Sequence, residues 1–117
     1  ITLSGDAHQH IAAQRRDSDG REAGADLVVT SVTSGGDGSE KDSHWPQLQA
    51  NNPDLLYNNR RRGYLLVDLS VDDVAIEFRT LDRITSRSHR LFRSASASMD
   101  ATGQLKVDEV DQLLGRV

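Results

Sequence analysis

Residues 4–10 read "SGDAHQH" and bring one carboxylate, Asp6, and two imidazoles, His8 and His10, into a short stretch. Carboxylate oxygen and imidazole nitrogen both suit Zn, Fe or Mn, and groups two positions apart can reach from one turn toward neighbouring cations. The plainer alternative is that Asp6 caps a helix while His8 and His10 are solvated polar side chains, since short Asp/His patterns recur by chance. Two ligands fill neither a tetrahedral nor an octahedral shell, so a metal here would need donors from elsewhere.

The rest of the chain offers few. Asp37, Glu40 and Asp42 could meet a hard cation, but their spacing lacks the regular pattern of a calcium loop, and solvated charge is the better reading. His44 could line a pocket beside Trp45, although an aromatic at the surface closing over the loop is the simpler expectation. His89, in "SRSHR", reads as an exposed linker residue. "SGGDG" (34–38) lacks the Lys and Ser/Thr of a nucleotide-binding loop; its glycines are expected to serve positive φ angles. "NNRRRGY" (58–64) carries three guanidinium groups suited to phosphate. Because direction alternates along the backbone, at most two of Arg60, Arg61 and Arg62 can face one site, and a solvated basic turn is the default. No nucleophile-elbow context is present, so no catalytic residue is assigned.

The elements that must hold these groups read mainly as strands. "ITLS" is a short β-branched run ending at Gly5. "DAHQHIAAQRR" has helix formers behind an acid and predicts a helix, followed by a polar loop over 17–24. "ADLVVTSVTS" (25–34) predicts a second strand. Residues 35–54 have no sustained period and read as a long loop, with one helical turn near Pro46–Ala50, and "LLYNN" suggests a brief strand. In 63–84, Leu65, Val67 and Leu69 share one face; after a short acidic turn so do Val74, Ile76 and Phe78. That is an antiparallel hairpin. "LFRSASASMD" (91–100) predicts a weaker strand, and "VDEVDQLLGRV" a short terminal helix through Val110, Leu113 and Leu114.

Composition narrows the function classes. The 117 residues suffice for one domain, yet only 36% are apolar and 4% aromatic, lean for a self-sufficient core. The expectation is that part of the apolar surface is buried against something else. Net charge is −4 with a single basic run, which argues against nucleic acid as the main partner. Without cysteine there are no disulfides or thiolate metal sites. No stretch is long and apolar enough for a transmembrane segment. The start on "ITLSGD" suggests a piece of a longer polypeptide.

Taken in order, "SGDAH" (4–8), "TSVTSGGDG" (30–38), "NNPDLLYNNRRRGYLLVDLS" (51–70) and "VAIEFRTLDRIT" (74–85) resemble the late part of the alkaline phosphatase D (PhoD-like) family over roughly residues 1–100. The resemblance implies an α/β fold class (α+β if seen in isolation): the C-terminal portion of a calcineurin-like metallophosphoesterase sandwich, mostly strands with an antiparallel hairpin and few short helices. Residues 1–100 would be an incomplete catalytic domain, and 101–117 a terminal extension with a short helix. Asp6 and His8 match the family's Gly-Asp-x-His element and would be metal ligands; His10 falls outside the matching positions. The resemblance further implies a phosphate-ester substrate (monoester or diester), iron and calcium as the ions with zinc or manganese also compatible, and a secreted or cell-envelope location. The family's earlier metal-ligand motifs are absent, so the N-terminal remainder of the same protein is the expected partner and the isolated piece is expected to be inactive. The competing reading is a non-catalytic β-rich interaction module.

Overall fold

The computed structural model describes residues 1–116; Val117, the end of the expected extension, lies outside the described residues. Eight strands form two four-stranded sheets. The first holds β1 (Thr2–Ser4), β2 (His10–Arg16), β3 (Glu22–Val28) and β4 (Leu55–Asn59) in the order β1-β3-β2-β4. β1 runs parallel to β3, and the other pairs are antiparallel. The second is an antiparallel meander of β5 (Gly63–Leu69), β6 (Asp73–Leu81), β7 (Arg90–Asp100) and β8 (Leu105–Arg116). One short helix, α1 (Trp45–Asn51), precedes β4, with Pro46 in its first turn.

The two sheets bury a shared core. Ala12, Ala25, Leu27 and Tyr57 from the first meet Val74, Ile76, Phe78, Ala95, Ala97 and Leu105 from the second. Leu65 and Val67 pack at its margin, so the hairpin face read from the sequence is the inward face. Leu69, expected with them, is 66% exposed where the strand runs out into its turn. Alanine at four of these core positions leaves room for the larger rings, and Tyr57 tilts against Phe78 at 4.8 Å between centroids.

Three segments differ from expectation. The helix predicted after Asp6 is β2, because alternate residues His10, Ala12 and Gln14 turn inward and are buried. The ladder with β3 and β4 satisfies its backbone on both sides, outweighing the helix propensity of Ala, Gln and Arg. The strand expected over 25–34 begins earlier, at Glu22, and ends at Val28, after which the chain leaves the sheet to form the loop described below. The expected terminal helix is β8, paired with β7 along its length through two register shifts. Asp111, at φ 45°, lies within the shifted stretch, and these irregularities break the period of two.

Polar side chains also tie the sheets together, Gln14 through the largest set of bonds. Gln14, on β2, donates from Nε2 to the carbonyls of Gly24 and Gly103, both at 2.8 Å, while its Oε1 accepts the backbone N–H of Leu105 at 2.7 Å. It thereby fixes the β7–β8 turn against the first sheet.

Candidate metal-binding edge

The loop of Asp6 and His8 leaves the C-terminal end of β1, and both residues take the left-handed conformation, at φ 74° and 54°. That is unusual for non-glycine residues and is best tolerated by Asp, Asn and His. Both side chains are exposed, and neither makes a hydrogen bond or ion pair among the described residues. The helix-cap alternative fails, because a strand follows Asp6.

Their freedom is distinctive. Asp37 accepts the N–H of Ile84 at 2.6 Å and that of Thr85 at 3.0 Å, and its other oxygen takes the Thr85 hydroxyl at 2.9 Å. These donors, led by the Ile84 N–H, hold its carboxyl below the usual range. Asp42 is lowered in the same way, first by the His44 N–H. Asp82 accepts the Arg90 N–H at 2.8 Å and is likewise held low. These carboxylates are engaged in fixing loops; Asp6 is not.

His10 is of a different kind. It is fully buried, donates from Nε2 to the Arg79 carbonyl at 3.0 Å, and accepts the Thr30 N–H at Nδ1 at 3.4 Å. Its ring meets Phe78 edge-on at 5.3 Å. Burial pulls its pKa down to about 4, keeping it neutral, and both nitrogens are committed. Geometry therefore sets His10 apart from Asp6 and His8.

The wall beside His8 is the glycine-bearing loop after β3. Gly35, Gly36 and Gly38 have φ of 82°, 72° and 72°, as their sequence suggested. A Cβ at Gly35 would lie 3.5 Å from both His8 Nδ1 and an Arg62 Nη1, so the imidazole and the guanidinium flank the same backbone. Arg62 is only 3% exposed. It donates from Nη1 to Ser31 Oγ at 2.7 Å and to the Ser34 carbonyl at 2.6 Å, and from Nη2 to the Arg60 carbonyl. Asn58, also buried, secures both loops: its Nδ2 donates to Gln9 Oε1 at 2.7 Å and its Oδ1 accepts the Asp42 N–H at 2.8 Å. Composition gave no means of picking Arg62 from the run of three, nor Asn58 from "NN". Among the run, Arg61 reaches the Asp82 carbonyl at 2.8 Å.

Other expectations resolve plainly. His44 is exposed beside Asp42, at 3.5 Å, and Trp45 is buried at 6% rather than lying on the surface, its ring turned inward from the first turn of α1. His89 is half-buried in the β6–β7 connection. A cavity of about 260 Å³ opens between β4 and β7–β8 around Tyr57, Thr80, Phe92 and Ser94, but includes neither Asp6 nor His8. Its flanking cations are paired, Lys41 with Glu109 at 2.6 Å and Arg90 with Asp82 at 3.1 Å.

As a donor set, Asp6 and His8 suit a hard or borderline cation. Among the described residues no group of three or more His, Cys, Asp or Glu side chains is placed to hold one. Asp6 and His8 by themselves are two candidate donors, short of a coordination shell. No helix among the described residues is long and apolar enough to cross a membrane.

Comparison with known proteins gives three findings. The sequence profile described as PhoD-like phosphatase matches residues 1–78. Alkaline phosphatase D of Bacillus subtilis (strain 168) is 29% identical over 115 residues, covering 92% of this chain and 19% of the relative. A solved structure titled "Structure of PhoD" superposes with a TM-score of 0.87 at 24% identity, over 97% of this chain and 23% of that one. The chain thus spans about a fifth of the length of the curated relative, and the strand-rich fold with its single short helix is shared with the solved structure.

Proposed function

The chain belongs to the PhoD-like phosphatase family, and from that premise we propose that the protein carrying it hydrolyses phosphate esters, mono- or diesters, at a metal centre to which Asp6 and His8 contribute ligands. The observation that carries this reading is the contrast at the loop after β1: Asp6 and His8 are exposed, in the left-handed backbone region and without side-chain partners among the described residues, while Asp37, Asp42 and Asp82 serve backbone N–H groups. A carboxylate and an imidazole held ready in this way suit a cation better than they suit a loop.

Bound iron and calcium, or zinc or manganese in their place, would neutralise phosphoryl charge and supply a water of lowered pKa. The chain's own part is positioning. Asp6 would bring carboxylate oxygen and His8 an imidazole nitrogen, and the Gly35 backbone, beside which the Arg62 guanidinium is anchored, lies next to the His8 ring. Residues 1–100 would belong to the catalytic domain and 101–117 would follow it, the remaining ligands coming from chain outside this sequence. The exposed edge strand β1, with Leu3 58% exposed, supports completion of the sheet by such a segment. Alone, the 117-residue chain would be inactive. Export to the cell envelope or medium accompanies the reading.

The test is made in the full-length protein with Asp6→Ala and His8→Ala. Each is expected to lower bound metal and to reduce phosphate-ester cleavage at least 100-fold while circular dichroism stays unchanged. Metal content equal to that of the parent protein in both variants would overturn the assignment.

A further inference from the structure

The connection between β6 and β7, residues 82–89, lies beyond the stretch matched by the family profile and borders a second, open surface cavity of about 240 Å³. Three of its lining residues are Arg83, Arg90 and Arg116, in a chain whose overall charge is negative. The sheet register forces two of them together, since Arg90 on β7 pairs directly with Arg116 on β8. Like charges facing each other across a ladder repel. The only carboxylate among the described residues of its lining, Asp82, is already shared: its Oδ2 lies 3.1 Å from Arg90 Nε and 3.6 Å from Arg83 Nε. The Arg116 side chain makes no ion pair or hydrogen bond among the described residues, and the terminal nitrogens of Arg83 and Arg90 donate none.

The remaining lining is also donor-rich. His89 Nδ1 is buried with no hydrogen-bond partner among the described residues. Ser86 and Ser88 contribute hydroxyls, and Ser86 Oγ accepts the Ser88 N–H at 3.3 Å, leaving its own proton to give. Cations and donors gathered with one committed carboxylate lack an acceptor. We propose that this cavity binds a phosphate-sized oxyanion, with Arg83 and Arg116 as its principal charge partners and His89 Nδ1 and the Ser86 hydroxyl as hydrogen-bond donors. Guanidinium groups suit such a ligand because each presents paired N–H donors matching two oxygens. Asp37 ties the same connection to the loop beside His8 through Ile84 and Thr85, so the oxyanion site and the candidate metal edge share one end of the sandwich.

The site does not depend on the metal reading and is tested without metal. The full-length protein is stripped with a chelator and titrated calorimetrically at low ionic strength with inorganic phosphate, and separately with glycerol 3-phosphate. Saturable binding is expected, weakening with added salt and falling at least tenfold in Arg83→Gln/Arg116→Gln, whose exposed positions leave the fold intact. Binding of both ligands would identify the free ion as sufficient; binding of the ester alone would identify a group carried on a substrate. Asp6→Ala/His8→Ala should leave the affinity unchanged, which separates this site from the metal edge. Absence of saturable binding in the stripped protein, or unchanged affinity in the double arginine variant, would overturn the proposal.

Discussion

His10 on β2 and the carbonyl of Arg79 on β6 are joined at 3.0 Å, a bond that links the strand following the candidate metal loop to the opposite sheet. The bond requires a proton on Nε2, and the Thr30 N–H requires a lone pair on Nδ1, so the ring is held neutral. Burial, the dominant cause, lowers its pKa from 6.5 to about 4. Above pH 6.5 neither folded nor unfolded His10 is charged. Between 6.5 and 4 the unfolded chain takes up the proton and the folded one does not, so stability falls as pH falls through this window and levels off below it. The loss expected is about 3 kcal/mol. Urea midpoints measured from pH 7.5 to 4 should show it, and His10→Asn should remove most of the slope above pH 5.

Gln14 makes a second prediction about the union of the sheets. Replacing it by Leu keeps the volume but leaves the Leu105 N–H and the carbonyls of Gly24 and Gly103 without their amide partner. Unsatisfied buried groups of this kind cost about 1–3 kcal/mol each. Since water can reach the turn once it loosens, a total near the lower end, about 3 kcal/mol, is expected. The check is chemical denaturation of Gln14→Leu beside Gln49→Leu, an exposed control. Equal midpoints would show that the clamp carries no stability.

These two side chains also explain what the sequence concealed. The β5–β6 hairpin was legible because Val74, Ile76 and Phe78 announce their inward face by being apolar. In β2 the inward positions are His10, Ala12 and Gln14, so two polar residues stand where alternation would have to be seen, and Ala and Arg suggest a helix instead. In β8 the register shifts change the parity, so Val110, Leu113 and Leu114 fall at helix-like spacing. At the candidate site, Asp6 and His8 could be picked out by residue type and spacing. Arg62 and Asn58 could not, because their roles come from loops brought together only by folding.

Two glycines of the same loop separate backbone strain from lack of space. Gly36 and Gly38 share φ of 72°, yet a Cβ at Gly36 would meet nothing within 4 Å, while one at Gly38 would lie 1.9 Å from the Arg60 carbonyl oxygen. Gly36→Ala should therefore cost only the left-handed penalty, about 1–2 kcal/mol. Gly38→Ala must also push the loop off the backbone at Arg60, and a loss of more than about 3 kcal/mol is expected. Thermal unfolding of the pair decides it, and equal losses would mean that the close approach is not maintained in solution.

Arg62 offers the sharpest link between loop architecture and the proposed centre. Its guanidinium is almost wholly buried without a carboxylate partner among the described residues, and desolvation lowers its pKa. Such a charge is tolerated because its terminal nitrogens reach Ser31 Oγ and the carbonyls of Ser34 and Arg60 together. Lysine keeps the charge but concentrates its donors on one nitrogen, so it cannot reproduce that planar spread. In Arg62→Lys the loop should loosen at Ser34 and Gly35, and amide exchange there should quicken at least tenfold. His8, which shares the Gly35 backbone with Arg62, should then bind metal less tightly in the full-length protein although no ligand has been altered. Arg61→Lys, whose side chain contacts the Asp82 carbonyl instead, should leave metal affinity unchanged. If both lysine variants retained parental metal affinity while exchange near Ser34 quickened in Arg62→Lys alone, Arg62 would be shown to hold the loop without setting His8.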